Sequence, residues 1–181
     1  PARIRGAIEL SHLDWQYPDR ATPALTDVSL GIAAGESIAI MGRVGSGKST
    51  LLKLIVRLLD PPPGSIRVDG SDVRDYPLAA LRSQIVLVPQ DPFLFGEPLA
   101  KNLTYDLPER ELDAIWSAAD AAALKETIER FPAQMATVVG ERGVTLSGGQ
   151  KQRATLARGL IRAAPVLVLA WAVLAGGVLQ L

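Results

Sequence analysis

A glycine-rich stretch between an apolar run and an amphipathic segment constrains the fold of this chain more than any other feature. Residues 42–49 read Gly-Arg-Val-Gly-Ser-Gly-Lys-Ser and fit the pattern G-x-x-x-x-G-K-[ST]. The apolar run 37–41 predicts a buried strand before it. After it, apolar residues recur at helical spacing from Leu51 to Leu59, and the prolines from Pro61 onward must end that helix. A strand, a tight loop and a helix in this order indicate an α/β fold.

The loop has the composition of a phosphate cradle. Its glycines, Gly42, Gly45 and Gly47, let backbone N–H groups turn toward phosphate oxygens that a Cβ would obstruct. The pattern brings Lys48 to the β- and γ-phosphates and the Ser49 hydroxyl to Mg²⁺, at the positive end of the helix. The loop therefore predicts a nucleotide ligand, but it does not separate a kinase from a GTPase, a helicase or a transporter.

A second helix start with adjacent glycines lies at residues 146–150, which read Leu-Ser-Gly-Gly-Gln. Ser147 can cap a helix that runs from Gln150 to Ala163. Such a helix end is a second phosphate-binding surface. One nucleotide needs only one cradle in a chain, so the second suggests a site shared between two chains. The alternative is an ordinary serine-capped helix.

The remaining patterns alternate strands with helices. Strands are predicted at 6–15 (an edge strand), 28–32, 65–68, 85–88 and 166–169 (a central parallel strand), and helices at 78–83, 98–103, 109–131 and 150–163. This order predicts a parallel sheet with a helical insert at 91–156.

Composition excludes several classes of protein. The chain has no cysteine, which excludes a disulfide framework and thiolate metal sites. Its 19 basic and 19 acidic residues balance, so charge gives no reason to expect nucleic acid as a partner. A polytopic membrane protein is excluded because each helical span needs about 20 mostly apolar residues. No leader follows Pro1, and we expect the chain to be part of a longer protein.

Together these motifs resemble the nucleotide-binding domain of ATP-binding cassette (ABC) transporters, of the exporter type, over nearly the whole chain from 4 to 169. Residues 42–50 resemble the Walker A motif and residues 146–150 the family signature. Gln90, which follows the strand at 85–88, resembles the Q-loop glutamine. Tyr17 resembles the aromatic residue that stacks on adenine. For Tyr17 alone, the alternative is a packed aromatic side chain of an edge strand.

The resemblance implies a P-loop NTPase (RecA-like) core with a parallel sheet, an N-terminal antiparallel β part and a helical subdomain with the signature, incomplete at the C-terminus. The core would span 1–90 and 157–169, the helical subdomain 91–156, and a non-matching tail 170–181. The implied ATP-binding residues are Tyr17, Gly42, Gly45, Ser46, Gly47, Lys48, Ser49, Thr50, Ser147, Gly148, Gly149 and Gln150. Lys48 and Gln90 would be catalytic, and Ser49 and Gln90 would contact Mg²⁺.

The resemblance also implies partners. Two such domains meet head to tail, with ATP between the Walker A motif of one and the signature of the other, and hydrolysis drives export by a membrane domain upstream. The domain would lie on the cytoplasmic face of a membrane, without nucleic acid. Segments 93–95 and 140–143 resemble those that face the membrane domain in exporters. His12, the only histidine, is expected at the surface without a role.

The resemblance stops after Leu169. Where the family has an aspartate and a catalytic glutamate, this chain has Ala170 and Trp171. Segment 173–177 lacks the serine and aspartate of the D-loop, and every charged residue lies before position 163. We therefore expect poor ATP hydrolysis. Because the last strands of the family's sheet are missing, exposed sheet edges and apolar surface are also expected.

Three explanations of the apolar end remain open: a membrane span, a degenerate site in a heterodimer, and a reading frame interrupted near codon 170, which we favour. Two alternative functions remain as well. One is a non-hydrolysing ATP-binding subunit, or an inactive fragment, of a heterodimeric ABC transporter. The other is a soluble cassette protein acting on the ribosome or DNA, although no basic patch supports it.

Overall fold

The structure, a computed structural model, describes residues 3–106, 108–140 and 143–170. Its strands are β1 (Ile8–Trp15), β2 (Leu25–Ile32), β3 (Ile66–Val68), β4 (Ser71–Asp72), β5 (Ile85–Val88) and β6 (Val166–Leu169). Its helices are α1 (Lys48–Ile55), α2 (Leu78–Gln84), α3 (Leu99–Leu103), α4 (Leu112–Ala121), α5 (Lys125–Glu129) and α6 (Gly148–Leu160). The residues group into two compact units, one within 1–87 and 164–168, the other within 88–163 and from 169 onward.

An antiparallel sheet in the order β2-β1-β3-β4 dominates the first unit. Ile8 of β1 pairs with Ile32 on one side and Val68 on the other, so β1 is an interior strand. The prediction of an edge strand at 6–15 was therefore wrong. Strand β1 places Leu10 and Leu13 in the core, and both are buried. The loose alternation that suggested an edge comes from irregular pairing with β2 between these two residues.

Strands β5 and β6 form a second sheet. The backbone N–H of Ala170, just beyond β6, donates to the carbonyl oxygen of Val88, the last residue of β5, at 2.9 Å. Their carboxyl ends therefore coincide, and the two strands run parallel. The strands predicted at 85–88 and 166–169 are confirmed, but in the described residues β6 pairs with β5 alone, so the prediction of a central strand at 166–169 was wrong. Together the two sheets give the mixed α/β architecture that the sequence predicts.

Segment 37–41 is not a strand, and the prediction of a buried strand was wrong. Within the described ranges no strand pairs with it, so its backbone has no ladder to join. Its apolar side chains are exposed, Ile38 by 40%, Ile40 by 36% and Met41 by 86%. The expected exposure of apolar surface is therefore observed at this segment.

Helix α1 is shorter than predicted, because it ends at Ile55 and not at Leu59. The chain leaves helical geometry at Arg57, whose φ is 51°. The Arg57 guanidinium donates to the carbonyl oxygens of Val73 and Tyr76, at 3.3 and 3.1 Å, and thereby fixes this turn against the segment after β4. Tertiary contacts therefore end the helix before the prolines do.

The second unit is helical and has its own apolar core. Completely buried members of this core are Leu99, Leu103, Ala119, Leu124, Ile128, Val139, Ala154 and Ala157. The continuous helix predicted at 109–131 is wrong, since α4 and α5 are separate. The break lies at Ala123, whose φ of 52° is left-handed, and it turns Leu124 into the core. In the described part of the chain, no helix is long and apolar enough to span a membrane.

Candidate nucleotide-binding site

The glycine-rich loop runs from the exposed segment 37–41 into α1. Gly45 and Gly47 have φ values of 83° and 88°, in the region that favours glycine. Gly47 is also the N-cap of α1 and packs closely on Ala24, because a Cβ at position 47 would clash with the Ala24 carbonyl oxygen. Gly47 is therefore required by conformation and by space, whereas a Cβ at Gly45 would meet open space.

The ammonium group of Lys48 lies over this loop. Its Nζ donates to the carbonyl oxygens of Gly42 and Arg43, both at 2.8 Å, and to Oγ of Ser46 at 3.3 Å. No side chain caps α1, and its first turn carries no acidic residue. The first N–H groups of the helix and the Lys48 ammonium therefore form one positive surface that can bind phosphate oxygens.

A cavity of about 560 Å³ opens beside the loop. Residues 45–50 form one wall, and the chain from Tyr17 to Ala24 forms the other. The Tyr17 hydroxyl and Oγ1 of Thr50 are hydrogen-bonded at 3.1 Å, which fixes the half-buried ring at the start of α1. Thr50 is buried and Ser49 is exposed. The structure therefore brings the predicted adenine platform and the predicted phosphate loop to one cavity.

The signature residues form the N-terminus of α6, as the sequence predicts for Ser147. Its Oγ accepts from the backbone N–H of Gln150 at 3.3 Å, and Oε1 of Gln150 accepts from the Ser147 N–H at 2.9 Å. This capping box occupies the Gln150 side-chain oxygen. Gly148 and Gly149 are exposed, and a Cβ on either would meet nothing within 4 Å. The chain itself therefore does not require glycine there.

Two further predicted positions lie at strand ends in the second unit. Gln90 is exposed in the bend that follows β5. Ala170 follows β6 and is half-buried, and its side chain offers no oxygen where the family has an aspartate. Within the described ranges, no cluster of three histidine, cysteine or acidic side chains could hold a metal ion. Trp171 and segment 173–177 lie outside the described residues, as do Glu141 and Arg142.

The two exporter-like segments come together in the second unit. A Cβ on Gly140 would lie 3.0 Å from the carbonyl oxygen of Phe95. Phe93 and Phe95 are exposed by 63% and 44%, and their rings pack edge to face with centroids 5.0 Å apart. Tyr105, also exposed, extends this aromatic surface, with its ring 6.1 Å from that of Phe95.

Sequence analysis missed the residues that support this surface. Arg158 on α6 donates to the carbonyl oxygens of Phe93 and Asn102, at 3.0 and 2.7 Å, and its guanidinium lies over the Phe95 and Tyr105 rings. The pKa of Arg158 is lowered by burial, and the nearby Tyr105 and Asp106 offset only part of this effect. Asn102, completely buried, binds the backbone N–H and carbonyl of Phe95. The sequence carries no signal for this role, because the burial of Asn102 is visible only in the structure.

Fold and loop define this chain as a nucleotide-binding domain of the P-loop class. A comparison with known families identifies it further: the family described as ABC transporter matches residues 25–169. The chain therefore belongs to the ABC transporter family, and the flippase and exporter relatives given next identify it as a nucleotide-binding domain of the exporter type. Membership implies that the domain binds ATP, and ATP hydrolysis is the activity of the family.

The curated relatives that match this chain are also named as a flippase or an exporter. The chain is 47% identical over 168 residues to an ATP-dependent lipid A-core flippase of Alkalilimnicola ehrlichii, covering 92% of this chain and 28% of the flippase. It is 44% identical to a putative multidrug export ATP-binding/permease protein of Bacillus subtilis, with coverages of 92% and 29%. Among solved structures, a bacterial Atm1-family ABC exporter with ATP bound matches with a TM-score of 0.85 and 36% identity, over 93% of this chain and 29% of that chain. This chain thus spans less than a third of these relatives.

Proposed function

We propose that the chain binds ATP in the cavity beside the glycine-rich loop, as the engine domain of a membrane exporter. The observation that carries this proposal is the convergence of Tyr17 and residues 45–50 on one cavity, with Thr50 bonded to the Tyr17 hydroxyl. Adenine would stack on the Tyr17 ring. The phosphates would lie in the loop at Gly42, Gly45, Ser46 and Gly47 and at the N-terminus of α1.

Lys48 would exchange its bonds to loop carbonyls for bonds to the β- and γ-phosphates. This exchange costs little, because an ammonium group gains more from anionic phosphate oxygens than from neutral carbonyls. The exposed Ser147, Gly148 and Gly149 would contact the γ-phosphate of ATP bound to a second domain, arranged head to tail. Gln150 would act there by fixing Ser147 through the capping box.

Magnesium fits the described residues only in part. When bound with ATP it would neutralise phosphate charge, and Ser49 and Gln90 are the residues we propose to face it. Magnesium sites normally include one or two carboxylates in addition to phosphate oxygens. Ala170 supplies no carboxylate, so the phosphate oxygens of the nucleotide would provide most of the ligands of the ion.

We propose that hydrolysis by this chain is impaired for the same reason. Phosphoryl transfer depends on positioning and charge neutralisation around the γ-phosphate, and the acidic pair of the family contributes both. With Ala170 and Trp171 in these places, Lys48 and Gln90 remain the only proposed catalytic residues. The alternative function that these two residues would suit is a non-hydrolysing ATP-binding subunit, or an inactive fragment, of a heterodimeric transporter.

The aromatic surface of Phe93, Phe95 and Tyr105 supports docking to a membrane domain. Flippase and exporter relatives are over three times longer than the matched region. A membrane domain in the same protein or complex would bring this chain to the cytoplasmic face of a membrane. The transported substrate would be chosen by that domain.

A binding experiment tests the proposed function. We expect Lys48→Ala to weaken ATP binding by at least about tenfold, because it removes the ammonium group from the phosphate loop. Lys53→Ala is the matched control, since Lys53 is exposed on the same helix and carries the same charge. Isothermal titration of the purified chain with ATP measures both. Equal affinity of both variants would refute the proposed site.

A further inference from the structure

One wall of the ATP cavity is a loop, residues 17–24, that is fixed at both ends. At its start the Tyr17 hydroxyl bonds Thr50. At its end the N–H of Ala24 donates to the carbonyl oxygen of Trp15 at 2.7 Å, and Gly47 packs on the Ala24 carbonyl. These contacts hold residues 17–24 in a defined position against the glycine-rich loop, so side chains in the middle of this loop have a defined position at the cavity.

Arg20 lies near that tip and lines the same cavity. Its backbone is held on both sides, because its N–H donates to the Tyr17 carbonyl oxygen at 3.0 Å and its carbonyl accepts from Nε2 of Gln16 at 2.6 Å. Its side chain is exposed, and none of the acidic side chains described in the structure forms an ion pair with it. An anion in the cavity can therefore use this guanidinium without breaking an existing ion pair.

We propose that Arg20 binds the α-phosphate of ATP, as a nucleotide-binding residue in addition to those of the motifs. This inference rests on the proposed function. The α-phosphate lies between the adenine assigned to Tyr17 and the terminal phosphates assigned to Lys48. Arg20 is three residues from Tyr17 in the chain, and it lines the same cavity as Lys48. A planar guanidinium matches two phosphate oxygens at once, and arginine is favoured at such sites for that reason.

The other charged residue on this wall, Asp19, has the opposite effect. Asp19 lines the cavity beside Arg20 and is exposed. A carboxylate near a polyphosphate repels it, so Asp19→Asn should tighten ATP binding where Arg20→Gln weakens it. Both effects should shrink in concentrated salt, because exposed charges are screened.

The test compares ATP, AMP and adenosine as competitors of a fluorescent ATP analogue on the intact chain. The variants are Arg20→Gln, Arg20→Lys and the control Arg5→Gln, which removes the same charge from an exposed position of the first unit outside the cavity. We expect Arg20→Gln to weaken the binding of ATP and of AMP by the same factor, about threefold to tenfold, and to leave the affinity for adenosine unchanged. Arg20→Lys should restore part of the loss, and Arg5→Gln should change nothing.

Other outcomes overturn the assignment of Arg20 to the α-phosphate. If Arg20→Gln also weakens adenosine binding, the contact is with the base or ribose. If it weakens the binding of ATP but not of AMP, the contact is with the terminal phosphates. If the affinities of the Arg20→Gln variant equal those of the unmodified chain, Arg20 does not contact the nucleotide. If the analogue binds the original chain and Lys48→Ala removes it, the proposed function stands even when the Arg20 assignment fails. An original chain that binds neither the analogue nor ATP refutes both.

Discussion

At the scale of single residues, the Tyr17 side chain has two separable parts. It lines the cavity beside the glycine-rich loop, and its hydroxyl bonds Thr50, which is buried at the start of α1. The sequence alone left two interpretations of this residue, an adenine platform and a packed aromatic. The hydrogen bond to Thr50 fixes the ring at the cavity, which suits a platform.

Substitutions at Tyr17 distinguish ring from hydroxyl. Stacking of a base on an aromatic ring contributes about 1–3 kcal/mol, so Tyr17→Ala should weaken ATP binding by about fivefold to 150-fold. Tyr17→Phe keeps the ring and should lose no more than about threefold. Equilibrium binding of ATP to both variants measures this. If Tyr17→Ala binds ATP as tightly as the original chain, the residue is only a packed aromatic.

At the scale of elements, the N-terminal half of the second unit depends on one arginine and one asparagine. Arg158 on α6 and Asn102 on α3 together bind the backbone of Phe93 and Phe95 and thereby fix the aromatic surface. Both polar side chains form several hydrogen bonds, and their loss leaves partly buried partners unsatisfied.

Asn102→Ala should therefore lower the free energy of unfolding by about 2–4 kcal/mol, and Arg158→Lys by about 1–3 kcal/mol, because lysine cannot reach both carbonyls and lie over the rings. Urea denaturation followed by far-UV circular dichroism measures both. Lys151→Ala, a change on the same helix away from these bonds, is the control. Losses no larger than the control's would show that this network does not stabilise the unit.

Strands and helices were predicted correctly where the local sequence determines them, and wrongly where contacts with other parts of the chain determine them. The loop at 42–49, the strands at 85–88 and 166–169 and the Ser147 cap follow from local chemistry, and the structure has them. Segment 37–41 has the composition of a buried strand, yet no strand pairs with it in the described part of the chain. At Ala123, burial of Leu124 overrides helix propensity. Nor could the role of Arg158 be assigned from sequence, since its partners Phe93 and Asn102 are distant in the chain.

At the scale of the whole molecule, the exposed apolar segment 37–41 is a liability. An exposed apolar stretch that pairs with no strand in the described part of the chain can pair with another molecule. We expect Ile40→Lys to slow aggregation severalfold in concentration-dependent light scattering. Ser37→Lys adds the same charge to the segment and keeps its apolar side chains, so it should slow aggregation less. Equal effects of the two variants would mean that net charge, and not this surface, controls aggregation.

The central claim is that this chain binds ATP in the Tyr17–Lys48 cavity and hydrolyses it poorly because Ala170 follows β6. Binding and release of phosphate from labelled ATP, measured in the same sample, test it most directly. The account predicts saturable binding that Lys48→Ala removes, with turnover at least about a hundredfold below that of an intact cassette domain of the family. Turnover equal to that of an intact domain, or no binding at all, would contradict it.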